Sequence, residues 1–222
     1  MKLVENHRLH LSGILKNSEA IFWDFDGVVK DSVEVKSEAF EYLFLPFGKM
    51  VAEKIRGHHE KNSGISRFEK LPIYLKWSGQ EPSVKLVNEY AKKFSLLVVE
   101  KVIDSKWVPG VLKYIENNYN RQHFFLVTAT PQNEINGIIS KLNIKHFFKE
   151  TIGSPIKKDN SIRYIMEKYS LSSENSIMIG DSRSDYNAAK INKIQFILRS
   201  TNLNKKLQEE LKSYTVENLL TY

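Results

Sequence analysis

The sequence contains no cysteine, which excludes disulfides and thiolate zinc sites. Long hydrophobic runs are missing too. The longest are no longer than "LLVV" at 96–99, against the ~20 apolar residues that a membrane-spanning helix needs. The opening "MKLVENHRLHLSG" lacks the extended apolar stretch of a secretory signal. A cytoplasmic location without a membrane partner is therefore the expectation. Internal repeats and low-complexity tracts are also absent. No compact Lys/Arg block with interleaved aromatics stands out, although the formal net charge is +7. Scattered lysines argue against a polynucleotide-binding face. They read as a lysine-rich solvated surface, with a general attraction for anionic metabolites as the alternative.

The chain has 222 residues, of which 41% are hydrophobic. That suffices for a sizeable core, in one large domain or in a core with a smaller insertion. Residues 5–17 read as a leading helix. "AIFWDF" (20–25) reads as a buried strand closed by Gly27. From 33 to 103 the rhythm is helical. "SVEVKSEAFEYLFLPFG" stops at Pro46 and Gly48, and "RFEKLPIYLKW" and "PSVKLVNEYAKKFSLLVVEKV" follow. After "VPG" (108–110), helices alternate with strands at 123–129, near 147–153, at 176–181 and at 194–199. Such alternation implies an α/β fold: a Rossmann-like parallel-sheet core with helices on both faces. The expected division is a core of residues 1–32 and 104–222, and an inserted all-helical cap of residues 33–103.

Sheets of this kind bind ligands at the carboxyl ends of their strands, and there the sequence concentrates polar groups. The first strand delivers Asp24 and Asp26, and the second delivers Thr128 and Thr130. "GSPIKKDN" supplies Lys157 and Lys158, and "IGDSRSD" supplies Asp181 and Asp185. Taken singly, Asp-Phe-Asp-Gly reads as a turn, Thr128 as a β-branched strand residue and the later aspartates as helix-capping groups. Their order at successive strand ends points elsewhere. Carboxylate oxygens are ligands that Mg²⁺ prefers. Beside such a cation one aspartate can attack phosphorus, a second can move the proton of the leaving alkoxide, and a lysine can offset the charge.

At these residues the chain resembles the haloacid dehalogenase superfamily. "DFDGVVKDS", "FFLVTAT", the lysine of "GSPIKK" and "IGDSRSD" follow the order of its four motifs, from about residue 20 to 200. The resemblance implies a Mg²⁺-dependent phosphomonoesterase acting through an aspartyl-phosphate on a small phosphorylated metabolite, a sugar phosphate or phospho-acid. It implies Asp24 as nucleophile and metal ligand. Asp26 becomes the acid/base, with its backbone carbonyl towards the metal. Thr128 and the Ala129 backbone would hold the phosphoryl group. Asp181 ligates the metal with Asp185 in support. Lys158 fits the third motif best, with Lys157 as the alternative. The second aspartate argues against dehalogenation, where no alkoxide needs a proton.

Phosphosugar mutases of the superfamily carry a cap loop that "GISR" (64–67) matches, but they have a histidine where this chain has Lys36. Lys36 and Arg67 are thus candidate substrate-binding residues. The mutase is the rival enzyme reading. A nucleic-acid end-processing phosphatase and a non-catalytic binding module are the others. His58, His59 and Lys70 lie near Arg67 in sequence; adjacent histidines point apart on a helix and make no metal pair.

Overall fold

The computed structural model describes residues 2–211 and 213–222. Six strands form one sheet: β1 (Ala20–Trp23), β2 (His123–Pro131), β3 (Glu150–Ser154), β4 (Ser176–Gly180), β5 (Gln195–Arg199) and β6 (Tyr214–Val216). Their order is β3-β2-β1-β4-β5-β6, and every pairing is parallel. Their carboxyl ends therefore share one edge, with β1 at the centre.

Strand alternation sorts the apolar residues into two layers. Ile21, Trp23, Phe124, Leu126, Ile177 and Ile179 pack on one face with Leu11 and Leu15 of α1 (Lys2–Asn17), Val111 and Ile115 of α6 (Val111–Asn118), and Ile135 and Ile138 of α7 (Gln132–Lys141). Ala20, Phe22, Phe125, Val127 and Met178 pack on the other. There they meet Ile162 and Ile165 of α8 (Lys158–Lys168), and Ala188 and Ala189 of α9 (Arg183–Ile191). All four residues of β1 are fully buried, which is why this strand reads as an unbroken apolar run rather than an alternating one. A short α10 (Lys205–Glu210) precedes β6.

Between β1 and α6 lies a purely helical segment: α2 (Val33–Phe44), α3 (Lys49–Lys61), α4 (Arg67–Trp77) and α5 (Val84–Asp104). Its core is aromatic. Phe40 stacks on Phe94 at 4.0 Å, and Phe44 stacks on Tyr90 at 5.2 Å. Arg56 of α3 links Glu34, Glu41 and Glu60. The chain crosses between core and helices twice, and Lys30 ties the crossings together. Its buried ammonium donates to the Ile103 carbonyl at 2.9 Å and lies 4.4 Å from the Trp107 ring centre.

Helix α3 and strand β6 are additions to the sequence reading. Helix α3 carries only Ala52, Ile55 and His59 to the interior, too sparse an apolar pattern to announce a helix. Strand β6 is a three-residue edge.

Candidate active site

The loop after β1 turns sharply at Gly27, whose φ of 79° lies in the left-handed region. A Cβ there would stand 2.2 Å from Asp181 Oδ2, so the turn and the acid at the end of β4 fit only with glycine. Asp24, at the end of β1, meets the lysine that opens α8 and the two acids that follow β4. Lys158, the first residue of α8, is buried and bridges two acids: Nζ lies 2.9 Å from Asp24 Oδ1 and 2.6 Å from Asp185 Oδ1. Lys157 is exposed, so the lysine that meets Asp24 is Lys158.

Oxygens of Asp24, Asp181 and Asp185 all lie within 4.8 Å of one another, and all three residues are buried. Burial raises the Asp24 pKa to about 7, helped by the neighbouring Asp185 and opposed by Lys158. Burial, with Asp24 and Asp185 beside it, also pushes Asp181 well above the carboxylate range. Burial works against the Lys158 ammonium, but Asp185 and Asp24 outweigh it and hold its pKa above the ordinary lysine value. Three acids against one lysine leave the cluster short of positive charge. Asp185 is also the third residue of α9 and completes a capping box: Ser182 donates to its Oδ2 from the backbone N–H at 3.1 Å and from the hydroxyl at 2.6 Å. The capping and the clustering are thus the work of one side chain.

Asp26 borders the same cavity but has its own set of partners. Ser32 Oγ donates to its Oδ1 at 2.7 Å, Thr130 Oγ1 donates to its Oδ2 at 3.0 Å, and Lys36 Nζ pairs with the same oxygen. Lys36 also donates to Thr130 Oγ1 at 2.8 Å. Ser32 precedes α2 yet makes no side-chain cap; its hydroxyl is spent on Asp26. Burial of Asp26 is outweighed by Lys36, Ser32 and Thr130, so its pKa lies below the usual value. The Asp26 carboxylate is not part of the three-acid group.

Thr128 and Ala129 line the same cavity as Asp24, Asp26, Asp181 and Lys158, and helices α2, α4 and α5 close it from above through Lys36, Arg67, Lys70 and Phe94. The cavity measures about 30 Å³, room for little more than one water. A second space of about 270 Å³ adjoins it, sharing Gly64, Ile65, Thr128, Ala129 and Lys158. The loop before α4 rests on the core at Gly64, whose carbonyl accepts from Ser184 Oγ at 2.8 Å.

Arg67 borders the cavity, but its guanidinium is engaged elsewhere. It grips Glu134 of α7 with both nitrogens, at 2.9 and 2.6 Å, and donates to Ser95 Oγ at 2.7 Å. It also lies over the Phe94 ring at 4.5 Å. Sequence reasoning did not find Glu134 or Ser95. They sit 67 and 28 residues from Arg67, beyond any local pattern.

The parallel sheet carries acids from separate strand ends gathered round one lysine, under a helical roof. The chain belongs to the haloacid dehalogenase-like hydrolases, the family that matches residues 21–199. It is 29% identical over 205 residues to a phosphorylated carbohydrates phosphatase of Thermotoga maritima, covering 86% of this chain and 90% of that one. It is 24% identical over 191 residues to a phosphoglycolate phosphatase of Pseudomonas savastanoi, covering 79% of this chain and 66% of that one. Among solved structures, a β-phosphoglucomutase from Clostridium difficile superposes with a TM-score of 0.72 at 19% identity, covering 91% of this chain and 92% of that one. At that identity the likeness concerns the fold. Among the described residues no helix is long and apolar enough to cross a membrane.

Proposed function

We propose that this protein is a Mg²⁺-dependent phosphatase of small phosphorylated carbohydrates or phospho-acids, working through an aspartyl-phosphate on Asp24. The observation that carries the reading is the Asp24–Lys158–Asp185 bridge with Asp181 beside it. It is a buried, under-neutralised acid cluster at the carboxyl edge of the sheet, bordered by Thr128. Hard oxygen donors with excess negative charge suit Mg²⁺, and Asp24, Asp181 and Asp185 would hold it. Bound there, the cation would supply the missing positive charge and screen the incoming phosphate from the acids.

The chain's own residues divide the remaining work. Asp24 attacks phosphorus, and the ester oxygen leaves with the bonding pair. Lys158 keeps the Asp24 carboxylate oriented, while the Thr128 hydroxyl and the Ala129 backbone N–H bind phosphoryl oxygens. Asp26 is ionised in its cage, so it enters as a base. The leaving oxygen takes its proton from the Lys36 ammonium, relayed by Asp26, which leaves Lys36 neutral until Asp26 passes back the proton of the attacking water. Asp26 then takes a proton from the water that cleaves the acyl phosphate, which restores Asp24 and releases phosphate. The commitment of Arg67 to Glu134, and Lys36 in place of histidine, favour hydrolysis over mutase chemistry.

The test is phosphate release across a panel of phosphomonoesters with Mg²⁺ and with EDTA, alongside hexose 1-phosphate isomerisation with a bisphosphate activator. Release that EDTA removes, without isomer formation, is expected. Isomer without phosphate would replace the reading with the mutase.

A further inference from the structure

Four cations border the small cavity: Lys36, Arg67, Lys70 and Lys158. Three of them have a carboxylate. Lys36 pairs with Asp26, Arg67 with Glu134, and Lys158 with Asp24 and Asp185. Lys70 is only 2% exposed, yet among the described residues no carboxylate lies within ion-pair distance of it. Its Nζ meets only neutral acceptors, His59 Nδ1 at 2.8 Å and the Asn62 carbonyl at 3.1 Å. Burial, then Lys36 and Arg67, hold the Lys70 pKa well below the ordinary lysine value; where Lys70 donates to Nδ1, the proton of the neutral imidazole sits on Nε2. His59 is also 2% exposed and borders the cavity, and its Nε2 has no hydrogen-bond partner. A buried lysine with no anion to hold its charge and a buried ring nitrogen with no hydrogen-bond partner are each costly. Both belong to one dyad on the cap side of the cavity, opposite the acid cluster.

We propose that Lys70 and His59 form a subsite for a second acidic group of the substrate, a carboxylate or phosphate carried by the leaving-group half. This rests on the phosphatase reading, because it assumes that the ester phosphate occupies the Asp24 side. The dyad selects esters whose alcohol is itself an anion: the incoming charge pairs with Lys70 and accepts from His59 Nε2. Lys36, Arg67 and Lys158 already have partners, which leaves Lys70 to take the new charge. The enzyme's preference is then set by the remote end of the ester rather than by the reacting phosphate.

Three esters on one three-carbon scaffold test this with the Mg²⁺-loaded wild type: 3-hydroxypropyl phosphate, 3-(phosphonooxy)propanoate, and propane-1,3-diyl bisphosphate. A desolvated charge-assisted contact is worth about tenfold or more in kcat/KM. We expect at least one acidic ester to exceed the neutral one by that factor per ester bond. The acid that does so distinguishes a carboxylate site from a phosphate site. In Lys70→Met the ratio of acidic to neutral ester should collapse towards one, a change that a merely structural role of Lys70 would not produce. A wild-type ratio near one overturns the subsite while leaving the phosphatase reading intact, and needs no variant to fold. If no ester yields phosphate, the phosphatase reading fails. Calorimetry with malonate then decides the subsite: binding to the wild type that Lys70→Met loses supports it, and no binding to the wild type overturns it.

Discussion

Lys36 is the residue on which the chemistry turns most sharply, because it is bound to Asp26 and Thr130 rather than standing free. If the leaving oxygen takes its proton through the Lys36–Asp26 pair, the need for Lys36 scales with the basicity of the leaving group. Lys36→Met should cost about 10²-fold on alkyl phosphates and under tenfold on p-nitrophenyl phosphate, whose leaving group needs little protonation. Equal losses on both would show that Lys36 only binds. Asp24 makes a different prediction. Its pKa is raised from 3.8 to about 7 by burial, then by Asp185. Between these values the folded chain binds more protons than the unfolded one, so this group's contribution to stability falls as pH rises towards 7 and stays low above it. Without metal, Asp24→Asn relieves that penalty. In EDTA, the melting temperature of the variant minus that of the wild type should grow by a few degrees from pH 5 to pH 8. The histidines are common to both chains and cancel in this difference. The same variant should lose about 10³-fold or more in turnover. A difference flat with pH would remove the under-neutralised cluster from the account.

At the scale of elements, the site depends on a turn, and the turn depends on glycine. Gly27 combines a positive φ with Asp181 at the place a side chain would fill. Gly27→Ala should therefore displace a carboxylate of the cluster, and not only strain the backbone by about 1–2 kcal/mol. The Mg²⁺ concentration for half-maximal phosphate release should rise at least tenfold. A variant less stable but unchanged in its Mg²⁺ requirement would separate the turn from the cluster. This element was readable in the sequence because everything it needs is local: an apolar run, two acids and a glycine within eight residues. Strands β1, β2, β4 and β5 were readable for the same reason. Helix α3 was not, since its buried positions are few and one of them is His59. Strand β6 was not, since three residues carry no period. Asp181 and Asp185 were legible as a motif, but not the pairing of Asp26 with Lys36, Ser32 and Thr130. The partners Lys36–Thr130 and Arg67–Glu134 arise only when the helices close over the sheet, and His59–Lys70 arises when α3 packs beside α4. No spacing along the chain encodes those contacts.

At the scale of the whole molecule, the helical segment closes over Asp24, where the cavity measures only about 30 Å³ and adjoins a space of about 270 Å³, so we expect the two halves to part when an ester reaches Asp24. Lys30 joins the crossings at one side, and Arg67 with Glu134 is the most deeply buried of the ion pairs that join the helices to the core, beside Lys36–Asp26 and Lys141–Glu100. Both side chains are almost wholly buried in the closed arrangement. Removing one partner of a buried pair costs about 3–5 kcal/mol because the other is left uncompensated. Glu134→Ala charges that cost to the closed arrangement alone, since an opened Arg67 regains water. The variant should therefore populate the open arrangement, seen as a larger radius of gyration by X-ray scattering and faster proteolysis at residues 24–33 and 104–110. Its kcat/KM on alkyl phosphates should drop, because a site left open to water weakens the electrostatics that hold the ester. Arg67→Ala combined with Glu134→Ala should recover part of the compactness, since the stranded charge is gone, and the cycle of single and double variants gives the coupling between the halves. Scattering and proteolysis indistinguishable from wild type in Glu134→Ala would show that the aromatic and backbone contacts alone hold the roof down, and that the ion pair is not the latch.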